Sequence, residues 1–445
     1  MTKPVIIGGG WAGLAAAIEL THQGIPVTLI ESAKSCGGRA RRVSYRDTQF
    51  DNGQHLLIGA YHQTLRLLAI CGVNLEQQIQ RSPLHFTFYG DGREQRSIRL
   101  PRLPAPLHMA AGIVLARGMS WSTKMQLISA SLKFLITGFR IKDDCSVEQL
   151  LQREGQQSST IKALWEPLCI ATLNTPTHLA SAKIFLRVLR DAFTKSYKDS
   201  DTLLCRNDLS SLFVDPAIKF IRDHGGEVLN STRVNAIEID PGGIHRVVTD
   251  NTMIDATNII LATPPSQAAL LLDPLTEQLP QLSKLVESLR QFGYQPIITL
   301  YLQYGETCRL PHPFVGFDGT LVQWLFDHSH FGRPGMMAAV ISAEGEHSDR
   351  SREQIIQTVT GEISEHFADL GEPKQCWLIH EKRATFASTV DVDQIRPANL
   401  TPIPGLSLAG DYTATGYPAT LEGALMSGIA STHEIIDYWN NCSEY

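Results

Sequence analysis

The residues best suited to chemistry come early: Gly8, Gly10 and Gly13 in the spacing G-x-G-x-x-G, with the acid Glu31 further on. Each glycine answers a different steric demand. Gly8 allows a tight turn, Gly10 lets the backbone approach a pyrophosphate, and Gly13 lets a helix lie close on a strand. Trp11 and Ala12 fall in the first turn of that helix, where unpaired N–H groups and the positive end of the dipole favour phosphate. Glu31 is placed to accept hydrogen bonds from a ribose, and an acid there suits FAD or NAD better than NADP.

Four further groups of residues follow. Gly37-Gly38-Arg39 is either an ordinary turn or a loop that closes over the same cofactor, with a guanidinium for its phosphates. FDNGQHLLIGAY carries Gln54 and His55 after the turn residues Asp51-Asn52-Gly53; His55 is a structural histidine or a participant in the reaction. LWEPLCIATLNTP holds Glu166 between Trp165 and Pro167. Burial there would raise its pKa and keep it protonated. Near the far end, Gly410-Asp411 closes a short strand and Pro418 is expected to open a helix. Asp411 can bind a ribityl hydroxyl, and the helix N-terminus suits negative charge on a reduced flavin. Polar groups at both ends of the chain select FAD over NAD, because FAD is long enough to need them. No second glycine fingerprint for a nicotinamide follows, so electrons are expected through the substrate or an external donor.

The elements that position these groups are read from periodicity. Val5–Ile7 and Val27–Ile30 are short β-branched runs flanking a helix. A helix is expected over 63–72, strands over 227–229, 233–239 and 258–262, and a hairpin through 245–254. Further strands fall at 297–302 and 336–341, with an amphipathic helix over 352–370 that turns Ile356, Val359, Ile363 and Phe367 inward. After a strand at 406–409, one helix from Pro418 is expected to carry Leu421, Leu425, Ile429, Ile436 and Trp439. Residues 100–141 are the most apolar region, with Leu107, Ala111, Val114 and Leu115 in one stripe and Leu127, Ala130, Leu132 and Leu135 in another. Arg117, Lys124, Lys133, Arg140 and Lys142 punctuate them. They form either a membrane-surface patch that admits a lipophilic substrate or an ordinary buried helical pair.

These elements predict an α/β fold: a Rossmann-like FAD-binding domain of glutathione-reductase-type topology with an interleaved α+β substrate domain. The first is discontinuous (1–80, 205–265 and 400–445); the second comprises 81–204 and 266–399. At 445 residues two domains are the prior. A 43% hydrophobic and 19% charged composition suits an ordered protein, and a net charge of −6 gives no electrostatic case for nucleic acid. The cysteines at 36, 71, 145, 169, 205, 308, 376 and 442 include no CxxC pair, so no metal site is expected. With a strand starting near residue 4 and no apolar run of about 18–20 residues, the expectation is a cytoplasmic protein, with peripheral contact to the inner face of the cytoplasmic membrane left open.

The Gly8–Gly13 fingerprint, Glu31, Gly37-Gly38-Arg39 and Gly410-Asp411 resemble the flavin-containing amine oxidase and carotenoid desaturase superfamily. GGGWAGLAAA, DNGQHLLIGAY, LWEPLCIATLNTP and GDYTATGYPATLEGA together resemble, more narrowly, the squalene-associated FAD-dependent desaturase family, the hydroxysqualene dehydroxylases of bacterial hopanoid biosynthesis. Cys36 departs from the apolar residue common before the glycine pair. The resemblance implies that hydroxysqualene and reduced FAD give squalene, water and oxidised FAD, with the lipid handed over by the enzyme that makes it. It further implies that Gly8, Gly10, Trp11, Ala12 and Gly13 line the pyrophosphate, Glu31 holds the adenosine ribose, and Gly38 and Arg39 meet the phosphates. Val234 would meet the adenine through its backbone and Asp411 the ribityl chain, with Gln54, His55 and Pro418 near the isoalloxazine. The acid for the departing hydroxyl is unassigned, His55 and then Glu166 being the candidates. Competing readings are a carotenoid-type desaturase with hydride flow reversed, an amine oxidase with Tyr412 and Tyr417 as aromatic walls, and a non-catalytic flavin-dependent lipid carrier.

Overall fold

In this computed structural model, residues 3–45, 48–90, 93–239 and 245–443 are described. Val5–Ile7 is buried throughout, and a strand apolar on both faces requires cover on both. It is the centre of a five-stranded sheet in the order Glu227–Leu229, Thr28–Ile30, Val5–Ile7, Ile259–Leu261, Leu406–Leu408. Every pairing is parallel, and the strands come from three separate stretches of the chain.

Trp11–His22 is the expected helix, buried from Trp11 to Thr21 rather than along one stripe, so it is covered on all sides. Glycine makes this possible. A Cβ on Gly13 would lie 1.9 Å from the Gly8 carbonyl oxygen, and one on Gly428 would lie 2.2 Å from that of Ala12. The second contact joins the first helix to Leu421–Ala430 near the end of the chain. A further tie comes from Glu422. Its carboxylate accepts from the N–H groups of Gln63 and Thr64 (2.8 and 2.9 Å) and from the Thr64 hydroxyl (2.7 Å), at the start of the His62–Ile70 helix. A carboxylate there answers both the unpaired donors and the helix dipole.

The second body is a seven-stranded sheet in the order Gln375–Phe386, Tyr294–Gln303, Met336–Ser342, Trp324–Asp327, Phe314–Phe317, His85–Gly90, Arg93–Arg99. Only the Phe314–Phe317 and His85–Gly90 pair is parallel. The Arg352–His366 helix belongs to its core through Ile355, Val359 and Ile363, while Phe88, Phe314, Trp324 and Phe326 gather in a separate aromatic cluster.

Four expectations need correction. Pro418 does not open the last helix: Leu421–Ala430 starts after Thr420, whose hydroxyl accepts from the Gly423 N–H (3.1 Å), the stronger N-cap chemistry. Nor is there one helix to Trp439. The chain turns at Ser431-Thr432, whose hydroxyls donate to the Gly428 and Ile429 carbonyls, and resumes as His433–Ser443. The helix from Arg352 stops at His366, before a separate turn over Ala368–Leu370, and Ile355 is buried with Val359 and Ile363, while Ile356 and Phe367 pack partly buried against the same core. Finally, Leu107–Leu115 and Trp121–Ile136 are helices, but not an ordinary buried pair. Leu115 is 68% and Ile136 84% exposed. No helix among the described residues is long and apolar enough to cross a membrane.

Substitution at two helical glycines separates the packed from the free. Gly428→Val should cost about 1–3 kcal/mol through overpacking, read as a lower urea midpoint at unchanged slope. Gly361→Ala, with nothing within 4 Å of the added methyl group, should raise the midpoint by roughly 0.5–1 kcal/mol equivalent. A neutral Gly428→Val would show that the two helices are free to separate.

Candidate functional site

A cavity of about 980 Å³ is bordered by residues from both sheets. Part of its wall is bare backbone. Gly10 precedes the Trp11–His22 helix with no side-chain cap and no acid in the first turn. A Cβ on Gly10 would meet nothing nearer than the Gly38 Cα at 3.9 Å, and one on Gly38 would stand 3.1 Å from the Gly10 Cα. The two glycines form a cradle that any side chain would fill, beside the donor end of a helix. Glu31 holds its rim: one carboxylate oxygen accepts from the Gly9 N–H and the other from the Ala33 N–H, each at 2.7 Å.

Arg39 and Asp411 meet each other at 2.7 Å, and Arg39 also donates to the Ala384 carbonyl at 2.8 Å. Burial works against the guanidinium charge, but Asp411 outweighs it and holds the Arg39 pKa above its ordinary value. The loop after Asp411 is held by Arg396, whose wholly buried guanidinium donates to the carbonyls of Asp411 (3.0 Å), Thr413 (2.9 Å) and Tyr417 (2.8 Å).

Another part of the wall carries Gln54 and His55. The Gln54 carbonyl receives His328 Nε2 at 2.7 Å, and its amide donates to the His55 carbonyl at 3.0 Å. Burial, then Arg333, pushes the His328 pKa down to about 3; burial, then Arg39, pushes that of His55 to about 4. Both causes favour the neutral imidazole of His55 at neutral pH. Its Nε2 is buried without a partner, as are Trp11 Nε1, Thr263 Oγ1, Trp324 Nε1 and the Tyr412 hydroxyl. All five residues border this one cavity. Unsatisfied buried groups are costly and scarce, so five around one space, beside a glycine cradle, fit a large ligand with distributed polar atoms.

The remaining wall is apolar, with Leu84, Phe86, Leu168, Val188, Phe314 and Trp324. Polar groups interrupt it, among them Asn174, Ser342 and a pair in which the Tyr417 hydroxyl donates to Asp191 at 2.8 Å. Burial opposes the Asp191 charge, but Arg187 and Tyr417 prevail and hold its carboxyl below the usual range.

The cavity thus brings together Gly8, Gly10, Trp11, Ala12, Glu31, Gly38, Arg39, Gln54, His55, Val234 and Asp411. Gly13 and Pro418 are not in its wall; Gly13 instead sets the closeness of helix to strand. Glu166 is also outside the wall. It is half-buried in the first turn of Glu166–Leu173, and that helix reaches the cavity through Leu168 and Ile170 to Leu173. His328, Arg396 and the Asp191–Tyr417 pair carry no local signal: His328 is 274 residues from Gln54. Among the described residues no group of three His, Cys, Asp or Glu could hold a metal ion.

Residues 11–436 match the family of flavin containing amine oxidoreductases. Among curated proteins, the chain is 27% identical to the hydroxysqualene dehydroxylase of Zymomonas mobilis, over 96% of this chain and 97% of that one. It is 30% identical to that of Rhodopseudomonas palustris, with the same coverage of both chains. The 15-cis-phytoene desaturase of Narcissus pseudonarcissus is 24% identical over 98% of this chain and 79% of its own. Among solved structures, an oxidoreductase from Methanosarcina mazei has the same fold, with a TM-score of 0.75 at 16% identity, covering 97% of this chain and 100% of its own.

Two outcomes follow from this geometry. Gly10→Ala adds a methyl group that meets no protein atom closer than 3.9 Å. The flavin-free protein should keep its stability within about 0.5 kcal/mol, while flavin absorbance relative to protein after gel filtration drops sharply. Equal flavin retention would refute the cradle. For pH, His328 held at about 3 instead of 6.5 contributes stability that is present above 6.5 and lost as pH falls toward 3. Unfolding free energies measured from pH 6.5 downward should therefore decline less in His328→Gln than in the parent.

Proposed function

The chain belongs to the family of flavin-containing amine oxidoreductases and is an FAD-dependent oxidoreductase; from that premise we propose that it reductively removes the hydroxyl group of hydroxysqualene, releasing squalene and water. The observation that carries this reading is an apolar chamber in one cavity with a dinucleotide cradle, in a chain similar along nearly its whole length to proteins named hydroxysqualene dehydroxylase.

In this reading Gly8, Gly10, Trp11, Ala12 and Gly38 hold the pyrophosphate, Glu31 the adenosine ribose and Arg39 the phosphate charge. The Val234 backbone meets the adenine, Asp411 the ribityl chain, and Gln54 with His55 the ring system. Reduced FAD, when bound, supplies a hydride, and the balance is hydroxysqualene plus reduced FAD to squalene, water and oxidised FAD. The substrate is an allylic alcohol, so departure of the protonated hydroxyl leaves a resonance-stabilised allyl cation. Phe86, Phe314 and Trp324 exclude the water that would recapture that cation, and they hold the polyene so that one carbon faces the hydride. Neutral His55 Nε2 and the Tyr412 hydroxyl, both without protein partners, hydrogen-bond the departing hydroxyl. Burial raises the Tyr412 pKa, so its hydroxyl stays protonated and acts as a hydrogen-bond donor to that oxygen. The proton that completes water is the second hydrogen that the balance takes from reduced FAD. An external donor must then reduce the flavin again.

Carotenoid-type desaturation is the second reading, favoured by the similarity to 15-cis-phytoene desaturases. It uses the same chamber with the hydride moving from polyene to flavin. A small hydrophilic amine would leave the aromatic wall without a partner. The deciding experiment photoreduces the holoenzyme without oxygen, adds hydroxysqualene, and follows flavin absorbance beside the extracted lipid. Reoxidation with stoichiometric squalene is expected, slowed at least about tenfold in His55→Ala. A flavin that stays reduced while the lipid binds would refute dehydroxylation, and oxidation of a more saturated polyene by the resting enzyme would establish the second reading.

A further inference from the structure

The exposed apolar surface is concentrated on two successive helices that touch each other. Leu107 and Leu115 lie on Leu107–Leu115, and Trp121, Met125, Leu132 and Ile136 on Trp121–Ile136. On the second helix these positions share one face, while Leu127, Ala130 and Phe134 on the other are buried. A single exposed leucine needs no explanation, but a contiguous ridge marks an interaction surface.

The charged residues within the stretch that carries this ridge have one sign. From Gln95 to Lys142 the chain carries eight Lys and Arg and no Asp or Glu, in a protein of net charge −6. Three are used internally: Arg96 on Asp318, Lys124 on the Val114 carbonyl and Lys133 on Glu154. Arg99, Arg102, Arg117, Arg140 and Lys142 form no ion pair among the described residues. The first three of these are exposed and, with His85 and His312, border a second cavity, of about 930 Å³, whose rim includes Leu115 of the ridge. The two histidine rings meet edge to face at 4.6 Å. Burial, then His312 and Arg99, pushes the His85 pKa down to about 4.

The place of this pocket relative to the main chamber is set by a strand's alternation. Pro83 and His85 border the cationic cavity, whereas Leu84 and Phe86 border the chamber. The two cavities lie on opposite sides of the same backbone segment.

We propose that this ridge docks the protein on an anionic phospholipid bilayer, with Arg99, Arg102 and Arg117 gripping a lipid phosphate beside it. An apolar face edged by arginine is the combination that binds such a surface. A second copy of this chain is disfavoured, because a two-fold contact through the ridge would bring two cationic borders together. The docking rests on the surface alone, whatever the substrate.

Co-flotation of holoenzyme with vesicles of phosphatidylcholine, with and without phosphatidylglycerol, tests it. Binding is expected on the mixed vesicles. The triple variant Arg99→Gln, Arg102→Gln, Arg117→Gln should bind them roughly a hundredfold more weakly, at about fivefold per basic residue. Trp121→Ser with Ile136→Ser should lose binding even where the arginines remain. Parental flavin absorbance and melting temperature in each variant report an intact fold. Absence of flotation, or full binding by the triple variant, overturns the proposal. So does release by inorganic phosphate at constant ionic strength, which would assign the pocket to a free anion. Self-association that the Trp121 and Ile136 changes abolish would give the ridge to a second copy. Flotation needs no turnover, so its failure and a failure of the dehydroxylation reading are separate results.

Discussion

The distance between the first helix and its neighbours is the constraint on which this structure depends. Gly13 and Gly428 leave no room for a Cβ against the carbonyls of Gly8 and Ala12, so the Trp11–His22 helix sits directly on the backbone below it and the backbone beside it. With the helix so held, its uncapped end points along the carboxyl edge of the parallel sheet. Glu31, Thr232, Thr263 and Asp411 all come within a few residues after the ends of four of its strands, and all border the same cavity. In open α/β sheets that edge is where ligands bind.

Polar satisfaction is uneven across the molecule. The groups that tie loops and helices together are answered: Arg396 is wholly buried yet supplied with several carbonyls, and the Glu422 carboxylate accepts three hydrogen bonds. Others are not, among them His108 and Ser388 away from the cavity and Trp11, His55, Thr263, Trp324 and Tyr412 around it. A cluster of unsatisfied groups facing one space is what a binding site costs a protein.

What could be read from the sequence was local. The glycine fingerprint declared itself because turn, helix start and strand lie within a few dozen residues, and their steric demands exclude most alternatives. The discontinuous parallel sheet followed from short β-branched runs at 5–7, 28–30 and 259–261. Pairings across the chain left no trace. Nothing near Gln54 announces His328, and nothing near Asp411 announces Arg396. The misplaced helix start at Pro418 has a different cause: proline and threonine both favour such starts, and only the structure shows that the Thr420 hydroxyl has taken the cap. His55 shows the limit most clearly. Its residue type suited an acid, but a pKa near 4 comes from burial and from Arg39, neither of which is visible in the residue itself.

The stitch made by Gly428 and Glu422 also has a temporal side. On a ribosome adding about 5–20 residues per second, the first helix and its two flanking strands emerge on the order of tens of seconds before Leu406–Leu408 and the Leu421–Ala430 helix exist. During that interval a helix meant to be covered on all sides has only part of its cover, and the Ile259–Leu261 strand lacks its outer neighbour. Until the last helix and strand arrive, the first helix is without part of the cover that the finished fold gives it.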